Sequence, residues 1–101
     1  MKAKREKEAI KIVKSEMARI REMNDDLQLK TPMRNPVEDC LVEVREDHVF
    51  FGFDGAGYDY FSYQSQYSSS FREKLHSKLQ ASGFHAEDNN TWSMSIWDDQ
   101  E

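Results

Sequence analysis

The spacing of apolar residues changes period once along this chain, and that change constrains the fold more than any other feature. Ile10, Val13, Met17, Ile20, Asn24 and Leu27 recur at alternating steps of three and four, with Asn24 the one polar member, which is a stripe along a helix. Ala9, Ile12 and Met23 widen the stripe to a face. The segment is rich in Lys, Arg, Glu, Ala and Met and has neither Gly nor Pro, so it predicts one helix from Ala3 to about Asn24. Pro32 and Pro36 disfavour helix at Thr31 and Asn35, and residues 25–36 therefore read as a linker.

Beyond the linker the period is two. Cys40, Val42 and Val44 fall on one side of a strand and Leu41, Glu43 and Arg45 on the other. Glu46-Asp47 makes a turn, and His48–Phe53 returns as a second strand. Asp54-Gly55-Ala56-Gly57 is a turn signal, after which Tyr58–Gln64 reads as a third strand. Ser69 or Ser70 caps a second helix running to about Ser82, with Glu73 in capping-box spacing to Ser70. Phe71, Leu75 and Leu79 form its buried stripe, and Gly83 suits the position just past its end. Phe84 to Asp98 reads as a hairpin around Glu87-Asp88-Asn89-Asn90, with Trp92, Met94 and Ile96 on one face.

The predicted order is α-β-β-β-α-β-β. It describes one small α+β domain over residues 1–101, with a mostly antiparallel sheet and both helices packed on one face. A chain of this length buries roughly two thirds of its unfolded surface, enough for one modest core. The α-β-β-β-α order of residues 3–82 resembles the double-stranded RNA-binding domain, a family that grips RNA with its first helix, a strand loop and the basic start of its second helix. The likeness is one of element order. The second helix here opens Ser69-Ser70-Phe71-Arg72-Glu73-Lys74 without that family's lysine cluster, the first helix is longer, and two further strands follow.

Charge is divided as sharply as periodicity. Residues 1–34 hold ten of the fourteen Lys/Arg and six of the nineteen Asp/Glu, a balance of +4; residues 35–101 hold four and thirteen, a balance of −9. A division of that size points to an interaction role. The net charge of −5 makes free nucleic acid and anionic membrane poorer partners than a basic protein surface. No apolar run approaches the ~18–20 residues of a bilayer span, and no hydrophobic segment follows Met1-Lys2-Ala3-Lys4-Arg5 as in a secretory leader. Cys40 is the single cysteine, so the expectation is a protein of a reducing cytoplasm.

Candidate chemistry is sparse. Cys40, His48, His76 and His85 have no local metal-ligand spacing, and nothing supplies Cys40 with a third partner or an oxyanion hole, so neither metal nor cofactor is expected. Adjacent acids such as Asp25-Asp26, Glu46-Asp47 and Glu87-Asp88 sit in turns, where carboxylates are solvated rather than tuned as acid–base couples. Residues 54–59 lack the Lys-Ser/Thr of a phosphate loop and the alternating oxygen ligands of a calcium loop. Nine aromatics lie within residues 50–71: Phe50, Phe51, Phe53, Tyr58, Tyr60, Phe61, Tyr63, Tyr67 and Phe71. Strand neighbours point to opposite faces, so some of these rings are expected on a second, contact-making face.

These features predict a non-enzymatic binding protein. The expected role is an inhibitor of the kind phage and mobile elements encode against host defences. Its carboxylates would imitate nucleic-acid phosphate in the basic groove of a nucleic-acid-handling partner. The predicted partner-binding set is Asp54, Tyr58, Asp59, Tyr60, Glu87, Asp88, Asp98 and Asp99. The alternative is a nucleic-acid-binding or regulatory module using Lys2, Lys4, Arg5, Lys7 and Lys11, as a monomer or as a homodimer through Ile10, Val13, Met17 and Ile20.

Overall fold

The structure, a computed structural model, describes residues 1–27, 40–54, 57–65 and 68–100. Helix α1 runs from Ala3 to Leu27, so residues 25–27, predicted as the start of the linker, are helical and the helix reaches the last member of the apolar stripe. Strands β1 (Leu41–Val44) and β2 (Val49–Gly52) form a hairpin, followed by a one-turn helix α2 (Tyr58–Phe61) and helix α3 (Ser68–Ala81). Strands β3 (Phe84–Asn90) and β4 (Ser93–Asp98) close the described chain as a second hairpin. The four strands lie in the order β1-β2-β4-β3, every pair antiparallel. The fold is therefore α+β with an antiparallel sheet, in the order α-β-β-α-α-β-β.

Register explains which side chains are buried. Val49 pairs with Ile96 and Phe51 with Met94, so these four share the helix-facing side, while Phe50 and Ser95 pair on the opposite side. Ala9, Val13, Met17 and Ile20 of α1 and Leu75 and Leu79 of α3 are buried in the same core as that sheet face, with α1 packed against α3 and β2. Burial of such side chains contributes roughly 1.5–3 kcal/mol each, which fixes α1 on its own domain. The predicted self-association stripe is thus corrected: Val13, Met17 and Ile20 are inside, and Ile10 is half-buried against the same core. The residues predicted as linker from 28 to 36 lie outside the described residues.

The third strand is also corrected. Tyr58–Phe61 is helical, because Tyr60 and Phe61 are both fully buried, and strand neighbours cannot face one layer together. On a helix they stand about 100° apart and fill one corner of the core. The Phe61 ring lies 5.0 Å from Phe51 and 6.0 Å from Phe53, and the Tyr60 ring lies 5.1 Å from Phe71. Without that strand the element order no longer matches the RNA-binding domain.

The last turn shifts too. It falls at Thr91-Trp92, because Asn90 Oδ1 accepts from the Trp92 N–H and the Ser93 hydroxyl, both at 3.0 Å, in an Asx-type turn. Trp92 consequently sits exposed at the tip rather than beside Met94 and Ile96. Gly83 has φ +84°, as its predicted place past the end of α3 requires.

Candidate functional site

Two ion-pair networks tie α1 down, and they sort its charges into spent and unspent. Near its start, the Arg5 guanidinium donates to both carboxylate oxygens of Asp98 at 3.0 Å, to Glu8 at 2.8 Å and to the Ser82 carbonyl at 2.8 Å. It also lies 4.0 Å over the Phe84 ring. The hydrogen bond from Arg5 holds the Asp98 carboxyl below its ordinary pKa, against the opposing effect of burial. Mid-helix, buried Glu16 accepts from Lys78 of α3 at 2.8 Å and from Arg19, whose Nη1 also reaches Met23 Sδ.

What remains on the outer side of α1 is basic. Lys4, Lys7, Lys11, Lys14 and Arg21 are all exposed, and none of the five is in an ion pair or hydrogen bond with a described residue. Their spacing of three, four, three and seven places them opposite the buried Ala9, Val13 and Ile20. From Lys4 to Arg21 they span about 26 Å of helix at 1.5 Å per residue. Exposed Ser15 and Ala18 fill the gaps without adding bulk; Glu22, beside Arg21, is the exposed acid at the far end. Between α1 and α3 runs a groove of about 460 Å³, lined by Glu8, Lys11, Ile12 and Ser15 on one wall and by Lys78, Ala81 and Ser82 on the other.

The acidic set predicted as a partner-binding site does not gather into one surface. Tyr60 is fully buried, and the Asp98 side chain is 2% exposed beneath Arg5, so neither can make an external contact. Asp88 is paired with Arg72 of α3. Asp54, half-buried Tyr58 and Asp59 lie where β2 ends, whereas Asp99 lies at the opposite end of the sheet, beyond β4. Glu87 stands between them on the open face of β3, 3.3 Å from His85, which also contacts Asp99. Of the basic set predicted as the alternative, Arg5 is consumed by Asp98. Lys14 and Arg21 were missed, although the three-and-four spacing that gives the apolar stripe also puts them in line with Lys7.

The open sheet face carries the second-face aromatics. Phe50 lies under the Arg45 guanidinium at 4.8 Å, and Trp97 lies 4.7 Å from the His48 ring. The polar groups here are answered locally, Arg45 by Glu43 at 3.2 Å and the His48 ring by Asp47 at 2.7 Å. His48 also holds the Asp47 carboxyl below its usual pKa. His76 on α3 is shifted down, first by burial and then by Arg72, so its neutral form is favoured. Among the described residues no group of three or more His, Cys, Asp or Glu is placed to hold a metal ion. Among them, too, no helix is long and apolar enough to cross a membrane.

No family model, curated protein or solved structure matches this chain.

Proposed function

We propose that this chain is a non-enzymatic nucleic-acid-binding module whose contact surface is the outer face of α1. The observation that carries the reading is the segregation of charge on that helix. Glu8 and Glu16 are engaged by Arg5, Arg19 and Lys78, while Lys4, Lys7, Lys11, Lys14 and Arg21 stay exposed and unpaired among the described residues. The overall charge of −5 does not oppose such binding strongly. At physiological salt the screening length is about 8 Å, so acids on the open side of the sheet contribute little at the α1 surface. The chain measures 22 Å even along its shortest axis.

The test is a gel shift of purified protein with a pool of single- and double-stranded DNA and RNA oligonucleotides at low salt. A retarded species that disappears with added salt is the expected result. Absence of any shift at about 50 mM salt would sink the reading.

A second reading, the acidic inhibitor of a nucleic-acid-handling protein, rests on exposed Asp54 and Asp59 flanking Tyr58, with Glu87 and Asp99 further off. It predicts salt-sensitive copurification of one such protein from nuclease-treated lysate, together with no shift of any oligonucleotide. It also predicts that Asp54→Asn with Asp59→Asn weakens that capture.

A further inference from the structure

We infer that the α1 surface takes the phosphate backbone of double-stranded nucleic acid, without reading base sequence; this rests on the nucleic-acid reading above and names its ligand class. Three observations separate a duplex from the alternatives. First, α1 contains no aromatic residue, and Phe71 on α3 is half-buried against Tyr60. Non-specific single-strand binders combine a basic groove with rings on which bases stack. The exposed rings Tyr63 and Trp92 belong to segments outside α1 and α3, so among the described residues no such platform accompanies the lysines.

Second, the cations form a straight array on a helix whose inner face is locked into the core. Lys4 and Lys11 make one row and Lys7, Lys14 and Arg21 a second, each with a repeat of seven residues, about 10.5 Å. A rigid double row suits a rigid, periodic array of phosphates better than a flexible strand. The exposed side chains in the array are four Lys with Ser15, Ala18 and a single Arg, and lysines reach phosphates as point charges; Arg21 alone has the fork that can pair with a guanine edge, and no Asn or Gln stands among them to pair with adenine. Third, an anionic lipid surface is disfavoured. An interfacial helix must insert its apolar face, and here Ala9, Val13, Met17 and Ile20 are committed to the core.

The experiment is fluorescence anisotropy of labelled duplexes of roughly 20 bp, one DNA and one RNA, and of the matching single strands, from about 50 to 200 mM salt. Four to five phosphates neutralised predict a log–log salt slope near −4 for the duplex, hence a roughly 200-fold loss of affinity over that range. Scrambling the duplex sequence should leave affinity unchanged. The triple substitution Lys7→Gln, Lys11→Gln, Lys14→Gln should reduce the slope by about 3 and weaken binding at least about tenfold at low salt. Lys7→Arg, Lys11→Arg, Lys14→Arg should retain it, and Arg45→Gln on the sheet should change nothing. Thermal melts of each variant show that the fold is kept.

Single strands bound as tightly as duplexes would overturn the duplex assignment and leave the nucleic-acid reading standing. Duplex binding undiminished in the triple Gln variant would overturn the placement on α1. Binding of neither form removes both the inference and the reading beneath it. Comparison of the two duplexes decides whether DNA or RNA supplies the backbone.

Discussion

Substituting Glu16 tests whether α1 is held by charge as well as by its apolar face. Glu16 is fully buried on α1 and joins Lys78 of α3 to Arg19, so Glu16→Gln removes the charge while keeping the volume. Removing one partner of a fully buried pair costs about 3–5 kcal/mol, because the other charge is left dry. Lys78 is 44% exposed and can return to water, but Arg19 is only 27% exposed, and its Nη2 is already buried without a partner. The expected loss is therefore lower, about 2–3 kcal/mol, mostly from the stranded guanidinium. For a domain of ~100 residues that is a fall in melting temperature of roughly 10–20 °C. Lys78→Met leaves one oxygen of the fully buried Glu16 carboxylate without its donor, and should cost about 1–3 kcal/mol. Urea unfolding of the two single variants and the double variant gives the coupling directly. A loss below about 0.5 kcal/mol for Glu16→Gln would refute the argument and mean that α1 is held by apolar packing alone.

Other consequences of the structure are equally accessible. Asp98 and Asp47 have folded pKa values depressed by Arg5 and His48, so their contribution is complete above the unfolded value near 4 and is lost as pH falls through the folded values. Asp98→Asn should therefore flatten the decline of stability in urea melts below about pH 4. His76 also has a depressed folded pKa, so the unfolded chain takes up the proton first and stability should begin to fall below about pH 6.5; His76→Gln should remove that slope. Gly57→Ala would set a Cβ 2.5 Å from Cys40 Sγ and 2.7 Å from Phe53 Cβ, predicting a loss of about 1–3 kcal/mol that Cys40→Ala partly restores. Gly83→Ala, at φ +84°, should cost about 1 kcal/mol by thermal melt, since only flexible Gln100 stands in its way.

The candidate surface was half legible before the structure. The lysines from Lys4 to Lys11 stand out in the sequence, and Lys14 and Arg21 follow from the same period. The loss of Arg5 was not legible, because its acceptor Asp98 is 93 residues away. The acidic set failed for the same reason. Asp98 is expected among the partner-binding acids, yet β4 carries it beneath Arg5, and Asp88 meets Arg72 only once β3 lies against α3.

Local periodicity by itself determined most of the elements. The three-and-four spacing made α1, alternation made β1, β2 and β4, and the Gly83 position ended α3, because each depends on residues within one or two turns of chain. Tertiary structure decided the rest. Tyr58–Phe61 alternates well enough for a strand, but a corner of core between the sheet and α3 accepts two consecutive rings only from a helix. An apolar stripe is the same whether it meets a second copy or its own sheet; the fit of Val13, Met17 and Ile20 to Val49, Phe51, Leu75 and Leu79 chose the sheet. That choice turned the lysines outward, because one helix cannot bury both of its faces.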